Sequence, residues 1–495
     1  MKYVIGIDLG TGGVKTLLLS EKGEICADTT VSYSPDLPKP GYSEQDPAVW
    51  WDAVKKAISE LISKFPRAKG NIAALSCSGQ MHSSVFLDKK GDVIRKAILW
   101  NDTRTTKQTK DIYSTLGLDT LLESVSNLAL EGFTLPKLLW LRDNEPENYN
   151  KVHKLIMPKD YINYRLTGII ATEKSDGAGT LMYDVKNSCW SEKVLSSLNI
   201  NKTILPEVLN STDIVGTVNG ELCDLLGENT LVIAGGADNS CAAVGSGMAH
   251  YGQGVISIGT SGTVIGCLNE LKCKVTGAVH LFNYSVPDTM YAMGCMLSAG
   301  ESLNWLKRTL FDTTPFSQLD ALAEKSPAGS NGVIFLPYLF GERTPHNDPD
   351  ARGIFFGLSG ASNQGDIIRS VLEGVAFGIR DMYEKVADFA EIDEFTITGG
   401  GAKSPLWGQI VADVLNKPLK INSISEGPSL GAAFLALTGS GIWNSLEELQ
   451  NAVLKCERVI TPSENAKLYN SYYSIYKKLY LANKDIFTEL SNLNR

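Results

Sequence analysis

One pattern constrains the fold of this chain more than any other feature, because it occurs once in each half. In both halves an apolar run stops at a turn of glycine and small polar residues, and a second apolar run follows. The first turn spans residues 10–13 and the second spans residues 259–263, about half the chain later. Apolar runs joined by such a turn are typical of a β-hairpin. The repeat therefore predicts two related α/β domains that face each other across a cleft.

Other segments extend this α/β pattern. Asp46 followed by Pro47 predicts the N-cap and first turn of an amphipathic helix that runs to about residue 63. Three glycines at residues 399–401 predict a turn that leads into a helix over about residues 404–415. Three apolar runs that are each closely followed by glycine predict further strands, at residues 72–76, 231–234 and 395–398.

The segment around residues 245–254 is rich in glycine and serine and marks the expected domain boundary. We therefore divide the chain into an N-terminal domain of residues 1–246 and a C-terminal domain of residues 247–495. Two domains agree with a length of 495 residues, since domains usually contain about 100–200 residues.

Composition excludes several classes of protein. The formal net charge of -9 argues against nucleic acid or an anionic membrane as the main partner. The nine cysteines form no C-x-x-C pair, which favours reduced thiols over a disulfide framework. No apolar run approaches the roughly 20 residues that span a bilayer, and the chain begins without a signal-like segment. We expect a cytoplasmic protein.

The two glycine-rich turns are candidate phosphate sites. Glycine lets backbone N–H groups approach a ligand closely, and successive N–H groups form a concavity that suits phosphate oxygens. A plain hairpin would be the simpler interpretation of one such turn, but two in corresponding positions favour a nucleotide held between domains. The candidate ATP-binding residues are Thr11, Gly12 and Gly13 in the first turn and Gly259, Thr260, Ser261 and Gly262 in the second.

Two carboxylates that follow apolar strands are candidates for chemistry. Asp8 stands beside the first turn, where its charge is costly to bury unless it is paired or metal-bound. Next to phosphates we expect a magnesium ion, reached through water; the alternative is a carboxylate that caps the turn. Asp238 follows a later strand and suits the group that accepts a hydroxyl proton during phosphoryl transfer. Its alternative role is the N-cap of a short helix.

Polar groups also follow the strand at residues 72–76. Gln80 and His82 offer hydrogen-bonding groups for vicinal hydroxyls, although a single histidine in this position is more often structural, and Met81 would ordinarily belong to the core. Residues 101–104 are interpreted as a solvated loop. The glycines at 399–401 are a weak candidate for contact with adenosine, and no Walker A motif is present.

These motifs resemble those of the FGGY family of carbohydrate kinases, whose domains have the duplicated actin-like ATPase (ribonuclease H-like) fold. Residues 5–11 are similar to the first phosphate motif of the family, residues 257–262 to the second, and residues 399–404 to the adenosine motif. Residues 132–140 and 353–373 resemble two family signatures. The similarity extends over nearly the whole chain and implies an ATP-dependent sugar kinase.

Several segments resemble the members of the family that act on xylulose. Glycerol kinases carry an Arg–Glu pair where this chain has Met81 and His82, which disfavours glycerol. The resemblance implies phosphorylation of D-xylulose to D-xylulose 5-phosphate, with ATP and magnesium as cofactors. The segments are residues 43–47, 79–82, 99–102, 157–161 and 341–346.

The same resemblance implies roles for individual residues. Asp238 is expected to be the general base, and Asp8 is expected to serve the magnesium ion and the phosphates. We expect a homodimer, as is frequent in the family. The residues expected to contact the sugar are Gln80, Met81, His82, Asp238 and Asn239, and those expected to contact adenosine are Gly400, Gly401, Ala402 and Ser404.

Alternatives to this interpretation stay open. A kinase of L-ribulose, L-fuculose, gluconate or a related polyol would share all of the chemistry and differ only in the sugar pocket. An actin-like switch ATPase would leave residues 80–82 and Asp238 without a role, and a non-catalytic sugar sensor is disfavoured by the presence of Asp238. Two positions depart from the pattern: Gly12 replaces a frequent serine, which leaves the phosphate contacts open, and Ala237 replaces a glycine.

Overall fold

A computed structural model describes residues 1–493. The chain forms two large mixed sheets, several two-stranded sheets, and helices that cover them. The strands are β1 (Tyr3–Leu9), β2 (Gly13–Ser20), β3 (Ile25–Ser32), β4 (Glu44–Gln45), β5 (Ile72–Gly79), β6 (Val85–Leu87), β7 (Ala97–Ile98), β8 (Lys154–Ile156), β9 (Ala171–Glu173), β10 (Tyr183–Asp184), β11 (Cys189–Trp190), β12 (Glu207–Leu209), β13 (Ile214–Thr217), β14 (Leu231–Ala237), β15 (Gln253–Ile258), β16 (Gly262–Leu268), β17 (His280–Asn283), β18 (Met290–Met296), β19 (Ile334–Leu336), β20 (Ile354–Phe356), β21 (Glu394–Thr398), β22 (Leu419–Asn422) and β23 (Cys456–Ile460).

The helices lie between and after these strands. They are α1 (Pro47–Lys64), α2 (Thr106–Leu116), α3 (Leu118–Val125), α4 (Thr134–Asn144), α5 (Pro146–Tyr149), α6 (Pro158–Thr167), α7 (Lys174–Ala178), α8 (Glu192–Ser197), α9 (Cys223–Leu226), α10 (Asp238–Gly245), α11 (Gly300–Leu310), α12 (Phe316–Glu324), α13 (Gln364–Ala387), α14 (Pro405–Leu415), α15 (Pro428–Gly439), α16 (Leu446–Val453) and α17 (Asn465–Leu493). In the described part of the chain, no helix is long and apolar enough to cross a membrane.

The repeat in the sequence corresponds to a repeat in the sheets. The first sheet has the order β13-β14-β5-β1-β2-β3 and the second has the order β17-β18-β16-β15-β21-β22-β23. In the first, β1 pairs antiparallel with β2 and parallel with β5. In the second, β15 pairs antiparallel with β16 and parallel with β21. The two predicted hairpins and the two related α/β halves are confirmed.

The predicted start of the first long helix is also confirmed. The side chain of Asp46 accepts a hydrogen bond of 2.9 Å from the backbone N–H of Ala48, and Pro47 is the first residue of α1. The buried face of α1 includes Trp50, Val54 and Leu61. This face packs on β2 and β3, so the predicted helical periodicity covers one side of the first sheet.

The interpretation of residues 101–104 as a solvated loop holds for Asn101 and Thr103, which are exposed, and is wrong for Asp102 and Arg104. Asp102 and Arg104 form an ion pair of 2.7 Å, and their side chains are 0% and 1% exposed. The Arg104 guanidinium also bonds Glu44 at 2.7 Å and lies 3.7 Å from the centre of the Tyr42 ring. Partners distant in sequence bury this polar cluster, and the short segment itself carries no sign of them.

Helix α15 from the second half packs against β1 and β5 of the first sheet and against α10. The contacts of α15 with β1 and with α10 each require a glycine. A Cβ atom on Gly6 would lie 2.0 Å from the carbonyl oxygen of Ser429, and one on Gly431 would lie 1.8 Å from that of Cys241. The backbones therefore approach more closely than any side chain would allow. The boundary that we expect at residues 246 and 247 lies between α10 and β15.

We predict that Gly431→Ala destabilises the protein by about 1–3 kcal/mol or more, because the added methyl group meets backbone that cannot move aside. Urea unfolding followed by circular dichroism should show a lower midpoint. Gly360→Ala is the matched control, since a Cβ atom there meets nothing within 4 Å. An unchanged midpoint for Gly431→Ala would contradict the close packing of α15 on α10.

Candidate active site

Three parallel strands of the first sheet bring the candidate residues together. β1, β5 and β14 run side by side in the same direction, so their carboxyl ends share one edge of the sheet. Asp8 lies at the end of β1, Met81 and His82 follow β5, and Asp238 follows β14. Ligands of α/β proteins usually bind in the crevice outside such an edge.

A cavity of about 310 Å³ lies at this edge, between the two halves of the chain. The first half contributes the predicted residues Met81, His82, Asp238 and Asn239, and it also contributes Trp100. The second half contributes Ser261, Gly262, Thr263, His280, Met293, Cys295, Met296, Leu297 and Arg343. The structure therefore places four of the five predicted sugar-binding residues in one cavity whose opposite wall includes the second glycine-rich turn.

The carboxylate of Asp238 is held through one of its two oxygens. Oδ1 accepts hydrogen bonds from the backbone N–H of Asn239 at 2.7 Å and from its side-chain amide at 3.1 Å. Oδ2 accepts no hydrogen bond from the described residues. Burial raises the pKa of Asp238 to about 6. An oriented carboxylate with one open oxygen and a raised pKa can accept a proton near neutral pH.

Asp8 interacts electrostatically with Asp238. Burial, and then the negative charge of Asp238, raise the pKa of Asp8 to about 7, and Lys15 opposes this effect. Two carboxylates in one crevice repel each other unless a proton or a cation lies between them. Within residues 1–493, no group of three or more His, Cys, Asp or Glu side chains is arranged to hold a metal ion.

His82 is fixed by its ring and by its backbone. Nδ1 lies 2.6 Å from the carbonyl oxygen of Gly179, and the ring centre lies 4.3 Å from that of Phe133. Burial lowers the pKa of His82 to about 3, so the ring is neutral and Nδ1 carries the proton that it donates to Gly179. Nε2 is then an acceptor, which suits the hydroxyl group of a sugar.

Gln80 is not brought into the cavity. Its side chain is 1% exposed, and its Oε1 accepts bonds of 3.2 Å from the hydroxyls of Thr11 and Ser83. The Thr11 hydroxyl in turn accepts a bond of 2.9 Å from the Trp100 indole. The expected sugar contact of Gln80 stays a prediction, and in the structure its side chain connects the first glycine-rich turn to the wall of the cavity. The Thr11 hydroxyl therefore uses its proton for Gln80 and accepts a bond from Trp100, while its predicted contact with ATP stays a prediction.

The first turn has room for the residue that Gly12 replaces. A Cβ atom on Gly12 meets nothing within 4 Å, whereas one on Gly13 would lie 2.8 Å from the carbonyl oxygen of Val31. Serine at position 12 is therefore sterically compatible with this turn. The departure at Gly12 removes a hydroxyl group at a position where the fold has room for a side chain.

The second turn lies between the sugar-side cavity and a larger pocket of about 680 Å³. Ser261 and Gly262 line the cavity, whereas Gly259 and Thr260 line the pocket. The turn is braced by the start of α11, since Gly300 N–H donates to the Gly259 carbonyl at 2.8 Å. A series of phosphates held at this turn would extend from the large pocket toward Asp238.

The large pocket includes three of the four predicted adenosine residues, Gly400, Gly401 and Ser404. Ala402 is buried and lines a separate cavity instead. Glycine is needed at position 401 because β15 ends beneath it, and a Cβ atom there would lie 2.4 Å from Cγ2 of Ile258, whereas one on Gly400 meets nothing within 4 Å. Helices α11, α12 and α14 complete the pocket with Leu303, Asn304, Phe316, Ser317, Asp320 and Trp407.

Comparisons with known proteins agree with this arrangement. The profile of the N-terminal domain of the FGGY family of carbohydrate kinases matches residues 3–245, and the profile of its C-terminal domain matches residues 254–440. The chain belongs to the FGGY family of carbohydrate kinases. Residues 1–493 have the fold of that family, and the enzyme is a sugar kinase for which ATP is the phosphoryl donor.

Individual relatives are similar to this FGGY kinase over nearly their whole length. A xylulose kinase of Bacillus subtilis is 41% identical over 100% of both chains. The structure of a ligand-bound xylulose kinase from Lactobacillus acidophilus is 28% identical with a TM-score of 0.93, covering 99% of this chain and 100% of its own. A gluconate kinase from the same organism is 28% identical with a TM-score of 0.89, covering 99% of both chains.

The segment at residues 132–140, which resembles a family signature, holds the backbone of His82. In this FGGY kinase the backbone at His82 is left-handed, with φ of 66°. Its carbonyl oxygen accepts bonds from the Thr134 hydroxyl at 3.0 Å and from Lys137 Nζ at 2.9 Å. Lys137 is fully buried, and burial lowers its pKa well below the ordinary value. Sequence analysis matched the signature at residues 132–140 without assigning it this function.

His280 and Arg343 of this FGGY kinase were also missed. Both come from the second half, far in sequence from the lining residues of the first half, and both line the cavity with Asp238. Residues 341–346 resembled the xylulose-specific members, which was the only signal for Arg343. No local pattern indicated that a residue from this segment reaches across the cleft.

We predict that Lys137→Met raises the KM for the sugar about five- to tenfold, the effect expected when one hydrogen bond is lost at a buried carbonyl. The KM for ATP should stay unchanged, because the nucleotide pocket does not include this segment. Steady-state kinetics, with the sugar and ATP varied separately, measures the two KM values. Lys151→Met, at an exposed site, is the control. Equal increases in both KM values would contradict a specific role at His82.

Proposed function

We propose that this chain transfers the γ-phosphoryl group of ATP to the 5-hydroxyl of D-xylulose, which yields D-xylulose 5-phosphate and ADP. The observation that carries the proposal is the identity of 41% to a xylulose kinase over the whole of both chains. The cavity supports it, because Met81 and His82, the pair that argues against glycerol, lie beside Asp238 and Asn239.

Asp238 acts as the general base in this proposal. Asn239 holds Oδ1, so Oδ2 receives the proton of the attacking hydroxyl. The hydroxyl oxygen forms a bond to the γ-phosphorus as the bond to the bridging oxygen breaks, and ADP leaves with those electrons. A raised pKa makes the carboxylate a stronger base than an ordinary aspartate while it stays ionised at neutral pH.

The two glycine-rich turns bind the phosphates through backbone N–H groups. The second turn connects the nucleotide pocket to the sugar cavity, so it can hold the phosphoryl group as it moves from one to the other. Fixed N–H dipoles stabilise the negative charge there without reorganising during the reaction. Gly400, Gly401 and Ser404 bind the adenosine, and the walls of the cavity exclude the water that would compete as an acceptor.

A magnesium ion fits this cleft through Asp8. The carboxyl oxygens of Asp8 are hard ligands of the kind that magnesium prefers, and a cation would relieve the repulsion between Asp8 and Asp238 that raises the pKa of Asp8. One carboxylate suffices, because magnesium usually keeps several waters and shares phosphate oxygens. When bound, the ion neutralises charge on the phosphates.

We further propose that the enzyme works in the cytoplasm as a homodimer. All nine cysteines are unpaired, which suits a reducing compartment. Closed two-fold dimers are the commonest form of soluble oligomers.

A kinase of another sugar is the main alternative, and the similarity to a gluconate kinase favours testing that substrate. Purified protein with ATP and magnesium should give its highest kcat/KM with D-xylulose in a panel that includes L-ribulose, L-fuculose, gluconate and glycerol. A higher value for another member of the panel would contradict the proposed substrate. Comparable ATP hydrolysis with no sugar present would favour a switch ATPase.

We predict that Asp238→Asn lowers kcat by about 10²–10⁴-fold with little change in sugar KM, because the amide cannot accept a proton. In the wild type, kcat/KM should approach its full value toward pH 8 and fall as pH drops through about 6, where half of Asp238 is protonated. The variant should lack this transition. Initial rates between pH 5 and 8 test both points, with Asp224→Asn at an exposed site as the control. A variant of near wild-type rate would refute the assignment of the base.

A further inference from the structure

Arg343 is the one guanidinium that lines the cavity, and within residues 1–493 no carboxylate pairs with it. The carboxylate of its neighbour Glu342 is used elsewhere: Oε1 accepts the backbone N–H groups of Leu297 at 3.2 Å and of Arg343 itself at 2.7 Å. The guanidinium of Arg343 donates no hydrogen bond to any described residue. A cation with five donors therefore lines the cavity without a protein partner.

The segment that carries Arg343 is held in place. Thr344 N–H donates to the carbonyl of Cys295 at 2.9 Å, and Cys295 N–H donates to the Thr344 hydroxyl at 3.1 Å. These bonds attach the segment to the end of β18, next to the second glycine-rich turn. Arg343 therefore extends from a fixed point on the wall opposite His82 and Asp238.

The wall of the cavity that the first half of the chain forms presents mainly hydrogen-bond acceptors to a ligand. Oδ2 of Asp238 accepts only, and Nε2 of His82 is unprotonated because Nδ1 donates to Gly179. The Trp100 indole N–H is already used by Thr11, and the amide of Asn239 donates to Asp238. Hydroxyl groups of a sugar can donate to these acceptors. An oxygen that only accepts bonds most strongly to a charged donor, and Arg343 is the charged side chain of the opposite wall.

A ketopentose that is phosphorylated on O5 has an oxygen that only accepts hydrogen bonds. The choice of D-xylulose as this ketopentose rests on the proposed function. The only ring that D-xylulose can form joins O5 to C2, so a ring form has no free 5-hydroxyl. The acceptor is therefore the acyclic form, in which C2 is a ketone. The ketone oxygen accepts hydrogen bonds and cannot donate one.

We propose that Arg343 binds the C2 ketone oxygen of acyclic D-xylulose and thereby determines the preference for a ketose. The acceptors on the opposite wall bind the hydroxyl groups, and Asp238 receives the 5-hydroxyl. Arg343 is in this way a substrate-binding residue supplied by the second half, so that both halves recognise the sugar.

The test compares D-xylulose with 2-deoxy-D-threo-pentitol, which keeps C3, C4 and the 5-hydroxyl but has no oxygen on C2. The pentitol is measured as a competitor of D-xylulose in wild type and in Arg343→Met. The variant should lose about 10- to 100-fold in kcat/KM for D-xylulose, the size expected for a hydrogen bond to a charged group. The inhibition constant of the pentitol should stay unchanged.

Two further variants sharpen the comparison. Arg343→Lys keeps the charge but loses the planar pair of donors, so its kcat/KM should lie between those of the wild type and Arg343→Met. Arg67→Met removes an arginine at an exposed site and should change neither constant. An unchanged KM for ATP in each variant shows that the nucleotide pocket is intact.

Three results would overturn the proposal. An equal loss of affinity for D-xylulose and the pentitol would show that Arg343 does not act through the oxygen on C2. A raised KM for ATP with unchanged sugar constants would place the guanidinium on the phosphates. Unchanged kinetics of Arg343→Met would remove it from the site. If wild-type protein does not phosphorylate D-xylulose, the proposed function itself fails, and that is known before any variant is compared.

Discussion

The close packing of α15 on β1 and α10 is the constraint on which the site depends. A helix from the second half reaches the first sheet only because Gly6 has no side chain, and it reaches α10 only because Gly431 has none. The contact lies near the sheet edge where Asp8 and Asp238 stand, so it fixes the second half against these two carboxylates. A cavity lined by both halves needs this alignment, since a small shift between them would separate Arg343 from His82.

The parts of the fold that sequence reasoning predicted are those that leave a local signal. Hairpins with glycine turns, the N-cap at Asp46 and the strands that stop at glycine were all visible as short patterns. Parallel strands then bring their carboxyl ends to one edge, which is why Met81, His82 and Asp238 could be named from the ends of separate runs. The repetition of the hairpin in both halves predicted the two related α/β domains.

The residues that were missed obtain their environment from distant parts of the chain. Asp102 and Arg104 look solvated in sequence, but Glu44 and Tyr42 bury them. Lys137 carries no local sign of burial, since its carbonyl partners at His82 and Gly132 come together only in the folded protein. Gln80 stands next to two residues that line the cavity, yet its side chain bonds the hydroxyl of Thr11. Short-range patterns contain none of this information.

Trp100 is placed where its fluorescence can respond to a ligand in the cavity. Its indole is 44% exposed and lines the sugar cavity, while its N–H is tied to Thr11 in the first phosphate turn. A sugar bound in the cavity would replace water beside the ring and so alter its emission, whereas the buried Trp407 lines the pocket proposed for the nucleotide. In the proposed function the sugar and the nucleotide would lie beside two different tryptophans out of the eight in the chain, and a change of fluorescence would report the order in which they bind to the unlabelled protein.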